Sequence, residues 1–168
     1  DILKYKSTKL IHMSTDCVFA GNAGPYSEDS FRDGLAFYDR TKALGEIEDS
    51  RNLTFRNSII GPDINKDGIG LFNWFMKQKH EISGYTKAMW TGVTTLTLAK
   101  ATEQAIMEDL CGLYNLVNNT SISKYDLLQL FNKYFRNNKI TISKNDEYKL
   151  DKSLRRKRND FSFVVPNY

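Results

Sequence analysis

Short apolar runs alternate with segments of helical periodicity along the first part of the chain. The runs at 9–13 and 53–60 predict buried strands, because continuous apolar residues are typical of strands covered on both faces. Between them, residues at helical spacing share one face, which predicts a helix over 37–50. The segment 21–34 is rich in Gly, Pro, Asn, Asp and Ser and therefore predicts a long loop.

The rest of the chain predicts shorter and more mixed elements. These are helices over 71–79, 96–108 and 124–135, strands over 112–117 and 139–143, a loop over 90–95, and irregular basic chain beyond 143. Ser123 is the predicted N-cap of the last helix, since a serine hydroxyl accepts a bond from a first-turn N–H group. This alternation of strands and helices predicts an α/β fold with an α+β appendage.

Composition and charge exclude several classes of protein. The 168 residues carry 24 Lys and Arg against 20 Asp and Glu, a net charge of +4. The basic run 155–158 equals that excess, so the balance does not indicate nucleic-acid binding. No apolar run reaches the roughly 18–20 residues of a membrane span, and we expect no membrane partner. Cys17 and Cys111 lie far apart without a metal motif, which predicts no metal site and a reducing, cytoplasmic setting.

Tyr38 and Lys42 are the first candidates for chemistry. Four residues apart on a helix, they share one face. A tyrosine with a pKa of about 10 is a poor acid or base at neutral pH, but a neighbouring ammonium stabilises the phenolate and lowers that pKa. A hydroxyl at the first strand's end, from Ser14 or Thr15, would hold the reacting oxygen of a carbonyl substrate. A packed tyrosine beside a solvated lysine remains the alternative, because Tyr-x-x-x-Lys also arises by chance.

The residues around this pair carry a family resemblance. Four segments, HMSTDCVFAG, PYSE, YDRTKALGE and FRNSIIG, follow one another at 12–21, 25–28, 38–46 and 55–61. In this order they resemble S-T-D-Y-V-F-x-G, P-Y-x-E, Y-G-x-T-K-x-x-G-E and R-x-S-x-x-x-G of the dTDP-4-dehydrorhamnose reductase (RmlD) family. That family belongs to the extended short-chain dehydrogenase/reductases. The resemblance is looser over 89–95 and 112–116.

The resemblance implies an incomplete Rossmann-type parallel sheet, its C-terminal half, plus a small α+β substrate-binding domain. Residues 1–61 are then the C-terminal part of an NAD(P)-binding Rossmann domain. Residues 62–168 are then mostly a sugar-nucleotide-binding domain. The resemblance leaves open whether some of these segments return to the Rossmann sheet. Family members begin with a G-x-x-G-x-x-G turn that binds the pyrophosphate, and no glycines here have that spacing. We therefore expect the C-terminal portion of a longer reductase, which alone is inactive and exposes an apolar edge of two remaining parallel strands.

The resemblance also implies residue roles. Thr15 matches the catalytic hydroxyl, Tyr38 the proton donor and Lys42 its partner. The implied contacts to the cofactor, NADPH or NADH, are Ser14, Tyr38, Lys42, Arg56 and Ser58. The implied contacts to the substrate are Asp16, Cys17, Val18 and Trp90. Cys17 replaces the family's usual tyrosine, which leaves the sugar preference open, and simple packing is the alternative for Trp90.

The implied activity is reduction of a nucleotide-linked 4-keto-6-deoxy sugar by NAD(P)H, in deoxysugar or polysaccharide biosynthesis. A nucleotide-sugar epimerase or dehydratase is an alternative, since Asp16 lies beside the strand-end hydroxyl. A non-catalytic binding protein is another, because the regulatory subunit of methionine adenosyltransferase resembles this family. Retention of Thr15, Tyr38 and Lys42 together favours the enzyme. The expected partners are a nucleotide sugar, no nucleic acid and, as an option, a second copy of the chain.

Overall fold

The computed structural model describes residues 8–65 and 67–168. The strands in these residues are β1 (Ile11–Ser14), β2 (Leu53–Arg56), β3 (Ile59–Ile60), β4 (Ile82–Trp90), β5 (Val93–Thr94), β6 (Gly112–Asn115), β7 (Ile122–Ser123) and β8 (Ile142–Asp151). The α-helices are α1 (Phe37–Leu44), α2 (Leu71–Met76), α3 (Thr95–Met107) and α4 (Lys124–Arg136), and a 3₁₀ turn spans Asp16–Val18. Within these residues, no helix has both the length and the hydrophobicity to cross a membrane.

A parallel sheet of order β1-β2-β6 forms one half of the fold and confirms the predicted α/β class. Leu53 and Phe55 of β2 are fully buried and join a core that includes Ala101 and Ala105 of α3. The expectation of two remaining parallel strands is wrong, because β6 returns to the sheet as a third. In the register of this sheet Ser14, Arg56 and Asn115 are aligned, so the carboxyl ends of all three strands meet at one edge.

A second sheet, of order β7-β4-β8, forms the other half. Its long strands β4 and β8 run parallel, and β7 pairs antiparallel with the end of β4. Helix α4 covers this sheet with an apolar face, which buries Leu127, Leu128 and Phe131. The second sheet corrects the sequence prediction, which recognised no strand over β4 and expected irregular chain beyond residue 143. Charged and polar side chains occupy much of β8, so its apolar periodicity is weak.

A small buried cluster joins the two halves. Phe19 and Tyr26 stack with their ring centroids 4.2 Å apart and an interplanar angle of 2°. Val117 follows β6, Leu154 follows β8, and both pack against this pair. Tyr26 also forms a parallel bridge with Leu154, so the loop after β1 is attached directly to the second sheet.

Other element boundaries also differ from those predicted. Helix α1 ends at Leu44 rather than at residue 50, because Glu46 leaves the helix to pair with Arg56 on β2. The predicted strand over 53–60 is divided into β2 and β3, which belong to different sheets. The predicted loop over 90–95 instead contains the end of β4, all of β5 and the start of α3.

Candidate active site

The carboxyl edge of the parallel sheet brings together polar residues that follow β1 and β2. In open α/β sheets, ligands bind outside this edge. Thr15 caps the 3₁₀ turn: its Oγ1 accepts a hydrogen bond from the Cys17 N–H at 3.1 Å and donates one to Asp16 Oδ1, also at 3.1 Å. Both Thr15 and Asp16 are buried. The hydroxyl is therefore held at a defined position directly after the strand.

Helix α1 presents Tyr38 and Lys42 next to this edge. The helix buries none of its residues, and Tyr38 is 55% exposed. Lys42 Nζ donates a 2.5 Å hydrogen bond to the Met13 carbonyl, the residue before Ser14. This bond places the ammonium at the end of β1. No hydrogen bond of the Tyr38 hydroxyl occurs within the part of the chain that the structure describes, so this hydroxyl is open to a ligand.

A buried ionic network lies beneath α1. Glu46 accepts hydrogen bonds from Arg56 Nε and Nη2, both at 2.7 Å, from Ser14 Oγ at 2.6 Å and from Arg32 Nη1 at 2.8 Å. The Glu46 side chain is fully buried, and the side chain of Arg56 is 1% exposed. Burial raises the pKa of Glu46, but the hydrogen bonds and the charge of Arg56 outweigh it, so the pKa lies below its usual value.

Three side chains near this edge have buried polar atoms without hydrogen-bond partners among the described residues. They are the amide of Asn57, directly after β2, Nε2 of His12, and Oδ1 of Asn115. Burial, and then the charge of Lys42, lower the pKa of His12 below its usual value, so the imidazole is neutral at pH 7. Buried polar atoms are normally paired, so the unpaired amide of Asn57 indicates a place where a polar ligand group would be accommodated.

A cavity of about 470 Å³ opens from the strand-end residues towards the second sheet. Asp16, Cys17 and Ser58 line its near side. The remaining lining residues come from α2, β4, α4, β8 and the residue after β8: Leu71, Trp74, Ser83, Tyr85, Ala88, Met89, Trp90, Lys124, Leu128, Tyr148, Leu150 and Lys152. Burial, together with the carboxylate of Asp16, raises the pKa of the Cys17 thiol. This thiol is therefore protonated at neutral pH.

The residues assigned by resemblance fall into four groups. Thr15, Tyr38 and Lys42 lie at or beside the carboxyl edge, whereas Asp16, Cys17, Ser58 and Trp90 line the cavity. Ser14 and Arg56 belong to the network around Glu46, and Arg56 also donates to the Glu28 carbonyl at 3.1 Å, so its guanidinium is directed into the protein. Val18 is fully buried in the cluster that joins the two halves.

Sequence reasoning missed several residues of this region. Glu46 stands inside a matched motif and on the Lys42 face of the helix predicted over 37–50, and these two features could have indicated it. Lys124 and Lys152 carried none, because their position in the cavity lined by Cys17 depends on the pairing of remote segments. Tyr85 and Tyr148 were missed for the same reason, since the sheet that aligns them was not recognised.

Comparison with known proteins gives a family match and several similar structures. A family model described as the RmlD substrate binding domain matches residues 3–160. A hypothetical dTDP-4-dehydrorhamnose reductase from Sulfolobus tokodaii superposes with a TM-score of 0.76 at 21% identity, over 95% of this chain and 62% of that one. The dTDP-4-dehydrorhamnose reductase from Bacillus anthracis, in complex with NADP, gives 0.70 at 22% identity, over 83% and 51%.

A third similar structure carries another activity. A UDP-N-acetylglucosamine 4-epimerase from Methanobrevibacter ruminantium gives a TM-score of 0.72 at 16% identity, over 94% of this chain and 57% of that one. At these identities the likeness establishes the fold. The chain spans less than two thirds of the length of each of these structures. Comparison with curated proteins gives no match.

Proposed function

Because the chain belongs to the family of RmlD substrate-binding domains, we propose that it is the substrate-binding and catalytic part of an NAD(P)H-dependent reductase. The substrate is a nucleotide-linked 4-keto-6-deoxy sugar similar to dTDP-4-dehydrorhamnose, in deoxysugar or polysaccharide biosynthesis. Residues 1–61 contribute to its Rossmann domain, and 62–168 form mostly the sugar-nucleotide-binding domain, from which β6 returns to the parallel sheet. The observation that carries this proposal is the open Tyr38 hydroxyl, one helical turn from Lys42, together with the cavity at the sheet edge.

Tyr38 is the proton donor in this proposal. Its hydroxyl protonates the carbonyl oxygen of the substrate as the carbonyl is reduced, and the ammonium of Lys42 stabilises the phenolate that forms. Thr15 orients the same oxygen, since its hydroxyl turns from Asp16 to the substrate while the Cys17 N–H continues to hold Oγ1. Asp16, Cys17 and Trp90 form the sugar-facing wall of the cavity.

The residues at the sheet edge fit the nicotinamide end of NADPH or NADH. Tyr38 is exposed, the ammonium of Lys42, one helical turn further along, is anchored at the end of β1, and the unpaired Asn57 amide provides a donor and an acceptor. When bound, the dinucleotide supplies a hydride to the carbonyl carbon. In this proposal Tyr38, Lys42 and Ser58 contact it, while Ser14 and Arg56 support that surface through Glu46.

The test is oxidation of NADPH with a dTDP-4-keto-6-deoxy sugar, using the protein that carries this chain. Tyr38→Phe is expected to lower turnover about 10²–10⁴-fold, the usual contribution of a positioned acid. Tyr134→Phe, at an exposed tyrosine of α4, is the matched control and should leave turnover unchanged. Turnover of Tyr38→Phe equal to that of the control would contradict the mechanism. Tight binding of nucleotide sugar without any turnover would favour a non-catalytic binding protein.

A dehydratase is the second candidate, because the Asp16 carboxylate accepts a hydrogen bond from Thr15 at 3.1 Å. A carboxylate in this position can receive a proton from the substrate during elimination of water. Elimination is redox-neutral overall, so a dehydratase converts dTDP-glucose without net consumption of NADPH. Conversion of dTDP-glucose that is lost in Asp16→Asn would favour this candidate over the reductase.

The proposal includes a cytoplasmic enzyme that forms a homodimer. Both cysteines are free thiols, which supports a reducing compartment. Phe37 and Leu44 on α1 are 85% and 89% exposed, which supports a partner on this helix. Analytical ultracentrifugation tests the dimer, and Leu44→Glu should shift it towards monomer.

A further inference from the structure

The indole of Trp90, which lines the large cavity, lies directly against the backbone of Gly92. A Cβ atom on residue 92 would overlap Cζ2 and Cη2 of the Trp90 ring and the carbonyl oxygen of Ser58. Glycine permits this approach because it has no side chain. The position of the indole in the cavity wall therefore depends on the position of the Gly92 backbone.

Tyr168 holds the same backbone. Its hydroxyl accepts a hydrogen bond from the Gly92 N–H at 3.0 Å, and the Gly92 carbonyl oxygen lies 3.5 Å from that hydroxyl. The Tyr168 ring also packs on Trp90, with the ring centroids 5.8 Å apart and an interplanar angle of 40°. This separation is typical of interacting aromatic pairs. One side chain thus contacts both the indole and the glycine against which the indole lies.

Tyr168 makes these contacts from outside the large cavity. Together with Gly92 it lines a separate cavity of about 250 Å³. Of the residues that the structure describes, those around the large cavity include Trp90 but not Tyr168. Any influence of Tyr168 on a ligand in the large cavity would therefore be exerted through Trp90.

The chain before Tyr168 is anchored in the other half of the fold. Phe161 and Val165 are buried in the core of the parallel sheet. Trp90, by contrast, ends β4 of the second sheet and belongs to the core beneath α4. The contact between Tyr168 and Trp90 therefore connects the two halves of the molecule at the wall of the cavity.

Resting on the proposed function, we propose that Tyr168 is a positioning residue, which holds the Trp90 indole where it contacts the sugar of the substrate. The hydroxyl acts on Gly92, and the ring acts on the indole directly. Loss of the whole side chain removes both contacts, so the indole moves and its contact with the sugar weakens. The nucleotide part of the substrate does not depend on Trp90 in this proposal, and its binding should be unaffected.

The first test is calorimetric titration with dTDP-rhamnose, the alcohol that reduction of dTDP-4-dehydrorhamnose gives, and separately with dTDP. It uses the protein that carries this chain, without NADPH, so no turnover occurs. Tyr168→Ala is expected to weaken dTDP-rhamnose binding about three- to tenfold, the effect of losing an aromatic contact, and to leave dTDP binding unchanged. Tyr168→Phe keeps the ring and should give a smaller loss. Tyr134→Ala, at an exposed tyrosine of α4, is the matched control and should change neither affinity.

Tryptophan fluorescence tests whether Tyr168 holds the indole. The difference in emission between the protein with Trp90 and its Trp90→Phe variant isolates the signal of this indole. Trp90 is 5% exposed. Tyr168→Ala should therefore shift this signal to longer wavelength and increase its quenching by acrylamide, because the indole becomes accessible to water.

A double-mutant cycle tests whether Tyr168 acts on the sugar through Trp90. In a Trp90→Phe background, Tyr168→Ala should have little further effect on dTDP-rhamnose affinity, because Phe lacks the indole atoms that lie against Gly92. A residue that only stabilises the fold would give the same loss in both backgrounds.

Four results would overturn this assignment: unchanged dTDP-rhamnose affinity in Tyr168→Ala, an equal loss of dTDP affinity, an undiminished loss in the Trp90→Phe background, or an unchanged Trp90 signal. The proposed function fails separately. Tyr168-dependent binding of dTDP-rhamnose without reduction of any keto sugar would overturn the reductase and leave the positioning role intact. Reduction of a keto sugar with a KM that is insensitive to Tyr168→Ala would do the reverse.

Discussion

Helices α1 and α4 are held in opposite ways. Helix α4 buries Leu127, Leu128 and Phe131 against the second sheet, and a serine hydroxyl caps its N-terminus. Helix α1 buries no residue, and its N-cap residue, Ala36, has no side chain that could accept a capping hydrogen bond. Its attachment is polar: the Lys42 ammonium binds a carbonyl of β1, and Glu46, just beyond the helix, binds Arg56 of β2.

The type of attachment determines which surface each helix leaves exposed. A helix held by an apolar face must cover that face, whereas one held at its end by ion pairs leaves its sides open. Tyr38 keeps an exposed hydroxyl because the anchors of α1 lie at its C-terminal end. Helix α4, by contrast, contributes Lys124 and Leu128 to a cavity wall whose position is fixed by packing.

The largest expected effect is on the polar anchor. Glu46→Gln leaves Arg56 buried without its counter-ion, and breaking a buried pair in this way typically destabilises by about 3–5 kcal/mol. The measurement is the free energy of unfolding in urea. Glu48→Gln, at an exposed position two residues on, is the control and should change it by less than about 0.5 kcal/mol. Equal effects of the two changes would show that α1 does not depend on this pair.

The second largest effect is expected from the apolar packing of α4. Leu128 is 3% exposed, and its truncation to Ala removes core contacts and leaves a cavity, with an expected loss of about 3 kcal/mol. The same change in α1, Leu44→Ala, removes a side chain that is 89% exposed and should cost less than about 0.5 kcal/mol. Urea unfolding of both variants measures the two losses in unfolding free energy. Similar losses would contradict the difference between α4 and α1.

Acid should weaken α1 selectively. The pKa of Glu46 is lower in the folded protein than in the unfolded chain, where it is about 4.3. Its contribution is therefore complete above pH of about 5 and is lost as the pH falls through the folded-state pKa. The difference in unfolding free energy between wild type and Glu46→Gln should be constant near neutrality and narrow towards pH 3. A difference that stays constant to pH 3 would show that the Glu46 charge is not the source of the stabilisation.

The smallest effect concerns the N-caps. Ser123 Oγ accepts a hydrogen bond from the Asp126 N–H at 3.0 Å, and Ser123→Ala should cost about 1 kcal/mol. The matched change in α1 runs in the opposite direction, since Ala36→Ser introduces a hydroxyl where none exists and should not destabilise. The midpoint temperature of thermal unfolding measures the effect of both substitutions. A loss in Ala36→Ser comparable to that in Ser123→Ala would mean that the start of α1 is held by contacts other than capping.

The sequence by itself determined the elements whose signals are local. The apolar run before Ser14 and the four-residue spacing of Tyr38 and Lys42 predicted a strand end and a helical pair, and the structure places a strand and a helix there. The α/β class and the family followed from the same segments. The serine before α4 predicted its cap, because capping depends on neighbours within one turn.

Only the tertiary structure decided what joins remote segments. Strands β4 and β8 carry mixed polar and apolar residues, and they become strands because they pair with each other, about sixty residues apart in the chain. Arg56, assigned by resemblance to the cofactor, is directed inward by its pairing with Glu46. The cavity that Lys124, Lys152 and Cys17 line together likewise depends on how remote segments pack. Periodicity records which face of an element is apolar, whereas the partner of that face is set by the topology of the whole chain.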